Sequence, residues 1–363
     1  MKKLLIVIGA RPNFMKVARF RQVAEARGGW QVVLVHTGQH LDDRMSTVFF
    51  EQLGMRPDHA LGIQSETPNG RIAQMMLSLE PLLLKERPDL VMVVGDVDST
   101  LAAALTCNKM KVRLAHLESG LRSRDRAMPE EFNRIVTDRV AQDLFVTEPS
   151  GVANLREEGR DEADIHLVGN TMIDSLVAFE PLIQASDVLD RWGLNDRAFA
   201  LMTMHRPATV DDPAELEKMV QLMAVVARDR TVVFSMHPRT ENNLRRFGLF
   251  DRLNAIQGVQ LHGPMDYFAF QKLIAHSEVV ITDSGGIQEE TTYRRVPCLT
   301  LRANTERPIT VAEGSNELLP FSIELLSEAL DRIRAGRYKQ GRIPHLWDGR
   351  ATERVFDVLD RVP

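Results

Sequence analysis

Cysteine is almost missing from this 363-residue sequence. The two it has, Cys107 and Cys298, lie far apart and in no metal-ligand spacing. A structural disulfide or a zinc site is therefore not expected, and a reducing, cytoplasmic setting is the default. Long apolar runs are also lacking, so neither a membrane span nor a membrane partner is expected. The opening MKKLLIVIGARP could be mistaken for a signal peptide. Its apolar run is too short and ends in Arg-Pro without a small-residue cleavage site, so it reads as a first buried strand, Leu4–Ile8. Charge of one sign is not in excess either: the net charge of -5 gives no electrostatic reason to expect nucleic acid. No GxGxxG follows the first strand, which removes the simplest dinucleotide fingerprint. No cofactor and no metal enter the expectation.

What is present is an ordinary globular composition, 44% hydrophobic and 26% charged. The length favours two domains. In the first half, LLIVI precedes a helical segment Phe14–Arg27, and VVLVH precedes a helix near Asp43–Leu53. Gly70–Lys85 then leads to LVMVV, Ser99–Lys109 to VRLAH, and Pro129 opens a helix that runs on through Asp138–Gln142. LFVTE and Ile165–Val168 follow as strands, and Thr171–Val177 starts a connecting helix. A second series begins near Ala198: FALMTMH, helix Pro213–Asp229, TVVFSMH, a helix around Asn242–Phe247, VQLHG, Tyr267–His276, VVITD, Ile287–Arg294 and VPCLTL. Continuous β-branched runs between helices indicate parallel sheets covered on both faces. The fold class expected is α/β, with two Rossmann-like parallel-sheet domains, 1–169 and 170–350, around an interdomain cleft. A C-terminal helix within 351–363 would pack back on the first domain.

The stretch Leu114–Arg139 concentrates Glu118, Glu130 and Glu131 with Arg122, Arg124, Arg126 and Arg134 in one loop and its flanks. Glu118 directly follows apolar LAHL, so its carboxylate should emerge at a strand mouth, where open α/β sheets place ligands. After the first strand, Ile8–Lys16 offers Arg11, Pro12 and backbone N–H groups at a helix start, with Lys16 one turn on: a recipe for an anion site. In VVGDVDST, Asp98 or Ser99 reads as a helix cap, and Asp96 as the functional candidate. His205-Arg206 ends the second series' first strand, and His237 occupies a similar place. In VVITDSGGIQEE, Ser284, Gly285 and Gly286 follow a strand and open a helix. Glycines there let a diphosphate approach the backbone, the helix N-terminus favours its charge, and Glu290 lies one turn further, within reach of a ribose diol. Arg307 adds a basic group after the next strand.

Together these motifs resemble the non-hydrolysing UDP-N-acetylglucosamine 2-epimerase family. The resemblance is carried in order by GARPNFMK, TGQH, GDVDST, HLESGLRS, MPEEFNR, VGNTMIDSL, the HR of TMHRP, TDSGGIQEE and TERP. It implies a GT-B architecture, a homodimer, and conversion of UDP-GlcNAc to UDP-ManNAc. It implies Asp96, Glu118, Glu130 and His205 as catalytic residues. Arg11, Lys16, Arg134, Ser284, Gly285, Gly286, Glu290 and Arg307 would hold the UDP-sugar. The chain departs from many relatives at Ala208 and Thr209, where an acidic residue and Asn are frequent, and Leu41-Asp42-Asp43 gives no basis for an allosteric site. The alternatives are a 2-epimerase of a related sugar such as UDP-2,3-diacetamido-glucuronate, a GT-B glycosyltransferase, a hydrolysing epimerase, and a nucleotide-sugar sensor without turnover.

Overall fold

The computed structural model describes residues 1–38, 50 and 52–361, the side chain of residue 11 excepted. Gln39 and His40 of TGQH, Leu41-Asp42-Asp43, most of the helix expected near Asp43–Leu53, and the side chain of Arg11 lie outside the described residues. The chain divides into two compact units, Met1–Ala178 with His345–Pro363, and Phe179–Pro344.

The first unit holds strands β1 (Lys2–Ile8), β2 (Trp30–His36), β3 (His59–Ala60), β4 (Leu90–Val94), β5 (Leu114–Ser119), β6 (Asp143–Val146) and β7 (Ile165–Leu167). They form one parallel sheet in the order β3-β2-β1-β4-β5-β6-β7. Its helices include α1 (Arg11–Val17), α2 (Phe20–Arg27), α3 (Pro68–Glu86), α4 (Asp98–Met110), α5 (Pro129–Val140), α6 (Pro149–Glu157) and α7 (Thr171–Ala178). Alternate residues of neighbouring strands, Leu5 and Val7, Val33 and Val35, Val91 and Val93, share one core with Leu79 and Leu83 of α3 and Ala103 and Cys107 of α4. Cys107 is thus a packing residue, its thiol pushed up to about 12 by burial. The single helix expected over Phe14–Arg27 is two, α1 and α2. The Ser175 hydroxyl donates to the Met15 carbonyl, the group a continuous helix would reserve for Arg19. The C-terminal helix Ala351–Leu359 belongs to this unit. Asp174 accepts its first backbone N–H groups, from Ala351 at 3.0 Å and Thr352 at 2.5 Å, and Phe356 packs on Phe20 and Trp30.

The second unit holds β8 (Phe199–Thr203), β9 (Thr231–Ser235), β10 (Val259–His262), β11 (Val279–Thr282), β12 (Cys298–Leu301) and β13 (Asn316–Leu319). They form a parallel sheet in the order β10-β9-β8-β11-β12-β13. Its longer helices are α8 (Pro213–Val226), α9 (Pro238–Arg246), α10 (Tyr267–His276), α11 (Gly285–Arg294) and α12 (Ile323–Arg334). β13 and α12 had no counterpart in the sequence reading. β13 is a four-residue edge strand with only its end residues buried, too short to give a periodic signal.

Strand order reverses beside the first strand of each sheet, between β1 and β4 and between β8 and β11. The carboxyl ends of parallel strands diverge at such a point and leave a crevice, with helix N-termini aimed at it.

Candidate active site

In the first unit the turn after β1 is braced by Asn13. Its Oδ1 accepts the backbone N–H groups of Gly9 (3.2 Å) and Ala10 (3.1 Å), and its Nδ2 donates to the Val94 carbonyl at the end of β4 (3.1 Å). Lys16, on the α1 that follows, is buried and ion-paired with Glu118. Glu118 is a bulge: the β5–β6 register shifts between Leu117 and Ser119, and Glu118 itself sits at φ 70°. Left-handed backbone at a non-glycine residue costs on the order of 1–2 kcal/mol. The bulge re-aims a side chain that strand alternation would have directed elsewhere. Gly95, after β4, is at φ 66°, and a Cβ there would lie 3.4 Å from Lys16 Nζ and 3.9 Å from Glu118 Oε2. The next residue, Asp96, pairs with buried Arg134 of α5, and its carbonyl accepts from Asn133 Nδ2 at 2.9 Å. Lys16, Glu118, Asp96 and Arg134 therefore gather around the Gly95 turn.

Glu130 is not part of that cluster. It is exposed in the first turn of α5 and has no ion-pair partner among the described residues. Its neighbour Glu131 is buried and folds the loop, accepting from Ser123 N and Oγ, Arg124 N and Arg134 Nη1 at 2.8 to 3.1 Å. Arg122 is spent on Asp138 and Glu158, both at 2.7 Å, and Arg124 on Glu157. These two arginines brace the loop. The cap expected at Asp98 or Ser99 is Val97, which makes no side-chain cap, and Asp98 instead pairs with Arg71 at 3.3 Å.

In the second unit Asp283 follows β11 and is fully buried. Its Oδ2 accepts the backbone N–H groups of His205 (2.9 Å) and Arg206 (2.8 Å), and its Oδ1 lies 2.8 Å from His205 Nδ1. Burial opposes its ionisation, but the His205 ring and the two N–H groups outweigh it and hold the carboxyl below its ordinary value. With Nδ1 engaged by Asp283, Nε2 is the ring nitrogen of His205 left for a ligand. Arg206 Nε donates to the Asp283 carbonyl at 3.1 Å. His237 proves to be the cap of α9, its Nδ1 accepting from Arg239 N at 3.2 Å.

The helix expected from Ile287 starts earlier, at Gly285 with Ser284 as N-cap, so both glycines are in its first turn. Neither has positive φ. At Gly285 the requirement is space: a Cβ would stand 2.8 Å from Arg307 Nη1. Arg307 is buried and paired with Glu289 at 2.9 Å. Ser284, Gly285, Gly286 and Arg307 are thus brought together, with main-chain N–H groups and a guanidinium at one helix N-terminus. Burial pushes the Glu290 carboxyl up to about 7, one turn into the same helix. Glu306 goes the other way: burial opposes its charge, yet hydrogen bonds from Arg302 and the charges of Arg302 and Arg307 hold it at about 2.

A family model described as UDP-N-acetylglucosamine 2-epimerase matches residues 22–360. The chain belongs to this family. It is 36% identical to the UDP-N-acetylglucosamine 2-epimerase of Methanocaldococcus jannaschii over 98% of each chain. It is 37% identical to the UDP-2,3-diacetamido-2,3-dideoxy-D-glucuronate 2-epimerase of Pseudomonas aeruginosa, covering 99% of this chain and 100% of that one. Its fold is the GT-B-like α/β fold of the family's solved structures. The M. jannaschii epimerase in complex with UDP-GlcNAc and UDP superposes with a TM-score of 0.90 at 36% identity, over 99% of both chains. The Neisseria meningitidis epimerase bound to UDP-GlcNAc gives 0.91 at 25% identity, over 99% of this chain and 100% of that one.

Asn13 and Asp283 were assigned no role from sequence. Asp283 lies in VVITDSGGIQEE, and the signal that could have found it is a carboxylate directly after a buried strand.

Proposed function

We propose that the protein is a non-hydrolysing 2-epimerase that interconverts UDP-GlcNAc and UDP-ManNAc by eliminating and re-adding UDP. The proton on C2 of an N-acetylhexosamine is not adjacent to a carbonyl, so a base alone cannot remove it. Loss of a leaving group makes removal feasible: a carboxylate takes the C2 proton as the C1–O bond to UDP breaks, giving 2-acetamidoglucal and UDP. Return of a proton to the opposite face of C2, with the UDP oxygen closing on C1, completes the inversion. The observation that carries the reading is the Gly95 cluster, where Glu118 and Asp96 each have a cation beside them at the switch point of the first sheet. Such paired carboxylates suit general acid and base work on one carbon. Glu130 is assigned to the same proton traffic, its side chain open to a ligand.

UDP retention is assigned to the second unit: the α11 N-terminus at Ser284–Gly286, Arg307, and Glu290 on the ribose. His205, oriented by Asp283, would stabilise the departing diphosphate through the same preorganised-dipole logic. Arg11, Lys16 and Arg134 complete the set that holds the nucleotide sugar. We assign the working form as a cytoplasmic homodimer, supported by Leu77 and Leu84 on α3 and Phe132 on α5, which are 73%, 63% and 61% exposed. The test is incubation with UDP-GlcNAc in deuterated water, followed by proton NMR. Deuterium at C2 of both sugars supports elimination; retention of the C2 hydrogen in product sinks it.

One observation favours a second substrate, UDP-2,3-diacetamido-glucuronate. Arg126 in the loop is exposed and, among the described residues, has no carboxylate partner, unlike Arg122 and Arg124. An Arg126→Gln variant that loses kcat/KM only on the uronate would establish this reading.

A further inference from the structure

Two residues before Glu118, β5 carries a histidine that the proposed reaction does not use. The His116 ring is completely buried. Its Nδ1 lies 2.6 Å from Asp138 Oδ1 and its Nε2 lies 2.7 Å from the carbonyl oxygen of Gly95. A main-chain carbonyl can only accept, so Nε2 must carry a proton. The other proton lies between the ring and Asp138, and its position is decided by what else Asp138 binds. Asp138 Oδ2 takes Arg122 Nη1 at 2.7 Å and the Gly120 N–H at 3.1 Å. Both are donors that favour a carboxylate. Burial works against ionisation there, but the Arg122 charge beside Oδ2 favours the carboxylate whatever the state of the His116 ring. With Asp138 ionised, Nδ1 also carries a proton, and the ring is a cation.

Such a ring cannot shuttle protons, since both N–H groups are engaged and no solvent reaches it. What it does is mechanical. The carbonyl it holds belongs to the peptide linking Gly95 to Asp96, and the Gly95 N–H donates to the Leu117 carbonyl at 3.0 Å. The Gly95 turn is thus gripped from both sides by the two residues that directly precede the Glu118 bulge. Asp96 and Glu118, which come from different strands, are referenced to one another through this grip.

We infer that His116 is a buried imidazolium acting as a positioning residue, which locks the Gly95–Asp96 peptide to the Glu118 bulge and so fixes the spacing of the two carboxylates. Its catalytic consequence rests on the elimination reading above; its charge state does not. A displacement of about 1 Å in a reacting group is worth roughly 100-fold in rate, and that is the loss expected when the grip is removed.

The charge is tested in the unaltered protein, labelled with 15N-histidine, at pH 7. Two protonated, slowly exchanging ring nitrogens on His116 are expected, and one unprotonated nitrogen overturns the proposal. The positioning role is tested with His116→Ala in the deuterium-exchange assay. C2 exchange should fall about 100-fold, with UDP affinity changed less than about threefold because UDP retention lies in the other unit. Added imidazole, protonated in the vacated space, should restore exchange, and neutral 1,2,4-triazole should not. A parallel fall of exchange, UDP affinity and thermal midpoint, or equal rescue by triazole, means that His116 merely supports the fold and overturns the proposal. If the unaltered enzyme shows no C2 exchange, the reaction reading fails and the nitrogen spectrum decides the charge of His116 by itself.

Discussion

Glu290 offers a test in which the sign of the effect is set by burial alone. Its carboxyl is carried from an ordinary 4.5 to about 7 first by desolvation, with Glu289 adding repulsion and Gln271 and Arg294 only partly compensating. Because the folded state holds this proton better than the unfolded chain does, stability is intact below about pH 4.5. It declines as pH rises toward 7, and above 7 the full penalty of a buried carboxylate applies. At roughly 1.4 kcal/mol per pH unit the gap amounts to about 3 kcal/mol. Glu290→Gln keeps the shape and removes the charge. It should therefore leave stability at pH 5 nearly unchanged and raise it at pH 8 by about 3 kcal/mol, or roughly 6–12 °C in Tm for a unit of this size. Thermal and urea unfolding of both proteins at pH 5, 6.5 and 8 measure this. A variant with the same pH profile as the parent, or one less stable at pH 8, would refute the burial argument. UDP titrated calorimetrically in two buffers of different ionisation enthalpy should release a proton near pH 7 in the parent only, if a ribose hydroxyl donates to the carboxylate.

Lys16→Met removes the Lys16 cation from beside the buried Glu118 carboxylate, and a loss of up to about 3 kcal/mol is expected in denaturant unfolding. Lys16→Met combined with Glu118→Gln should regain most of that stability while C2 exchange stays abolished; a double variant as unstable as the single one contradicts the pairing. Gly285→Ala puts a methyl 2.8 Å from Arg307 Nη1. The guanidinium can swing aside, so Tm should hold within a few degrees while UDP affinity drops about tenfold, equivalent to roughly 1.4 kcal/mol. Unchanged affinity by calorimetry would remove Arg307 from the nucleotide site.

Most of the strands were legible because a parallel strand covered on both faces must be apolar throughout, a purely local property that LLIVI, LVMVV and VVITD display. The loops after β1, β4, β8 and β11 were legible for a related reason: small, charged and capping residues interrupt the apolar run where each buried strand ends. Legibility failed where a partner decided the outcome. Phe14–Arg27 carries an unbroken helical pattern, yet it divides into α1 and α2, and the Ser175 hydroxyl meets the Met15 carbonyl near the break. The four arginines around Gly120 look alike in sequence, yet Arg122 and Arg124 brace the loop while Arg134 meets Asp96. Glu130 and Glu131 are adjacent and chemically identical, but the helix turns one outward and the other into the loop's own N–H groups.

The residues by themselves determined the α/β class, the two-part organisation of the strands, and which loops after buried strands carry charged side chains. Spacing along the chain encodes periodicity and capping, and these need no distant partner. Tertiary structure alone decided the pairings: Lys16 with Glu118, Arg134 with Asp96, Asp283 with His205, and His116 with the Gly95 carbonyl. Each joins groups on different strands or helices, so it exists only once the order β2-β1-β4-β5 or β9-β8-β11-β12 has set those chain ends side by side. The left-handed turn at Glu118 belongs to the same class. Its conformational cost is met by contacts from elsewhere in the sheet, and nothing in LAHLESG announces it.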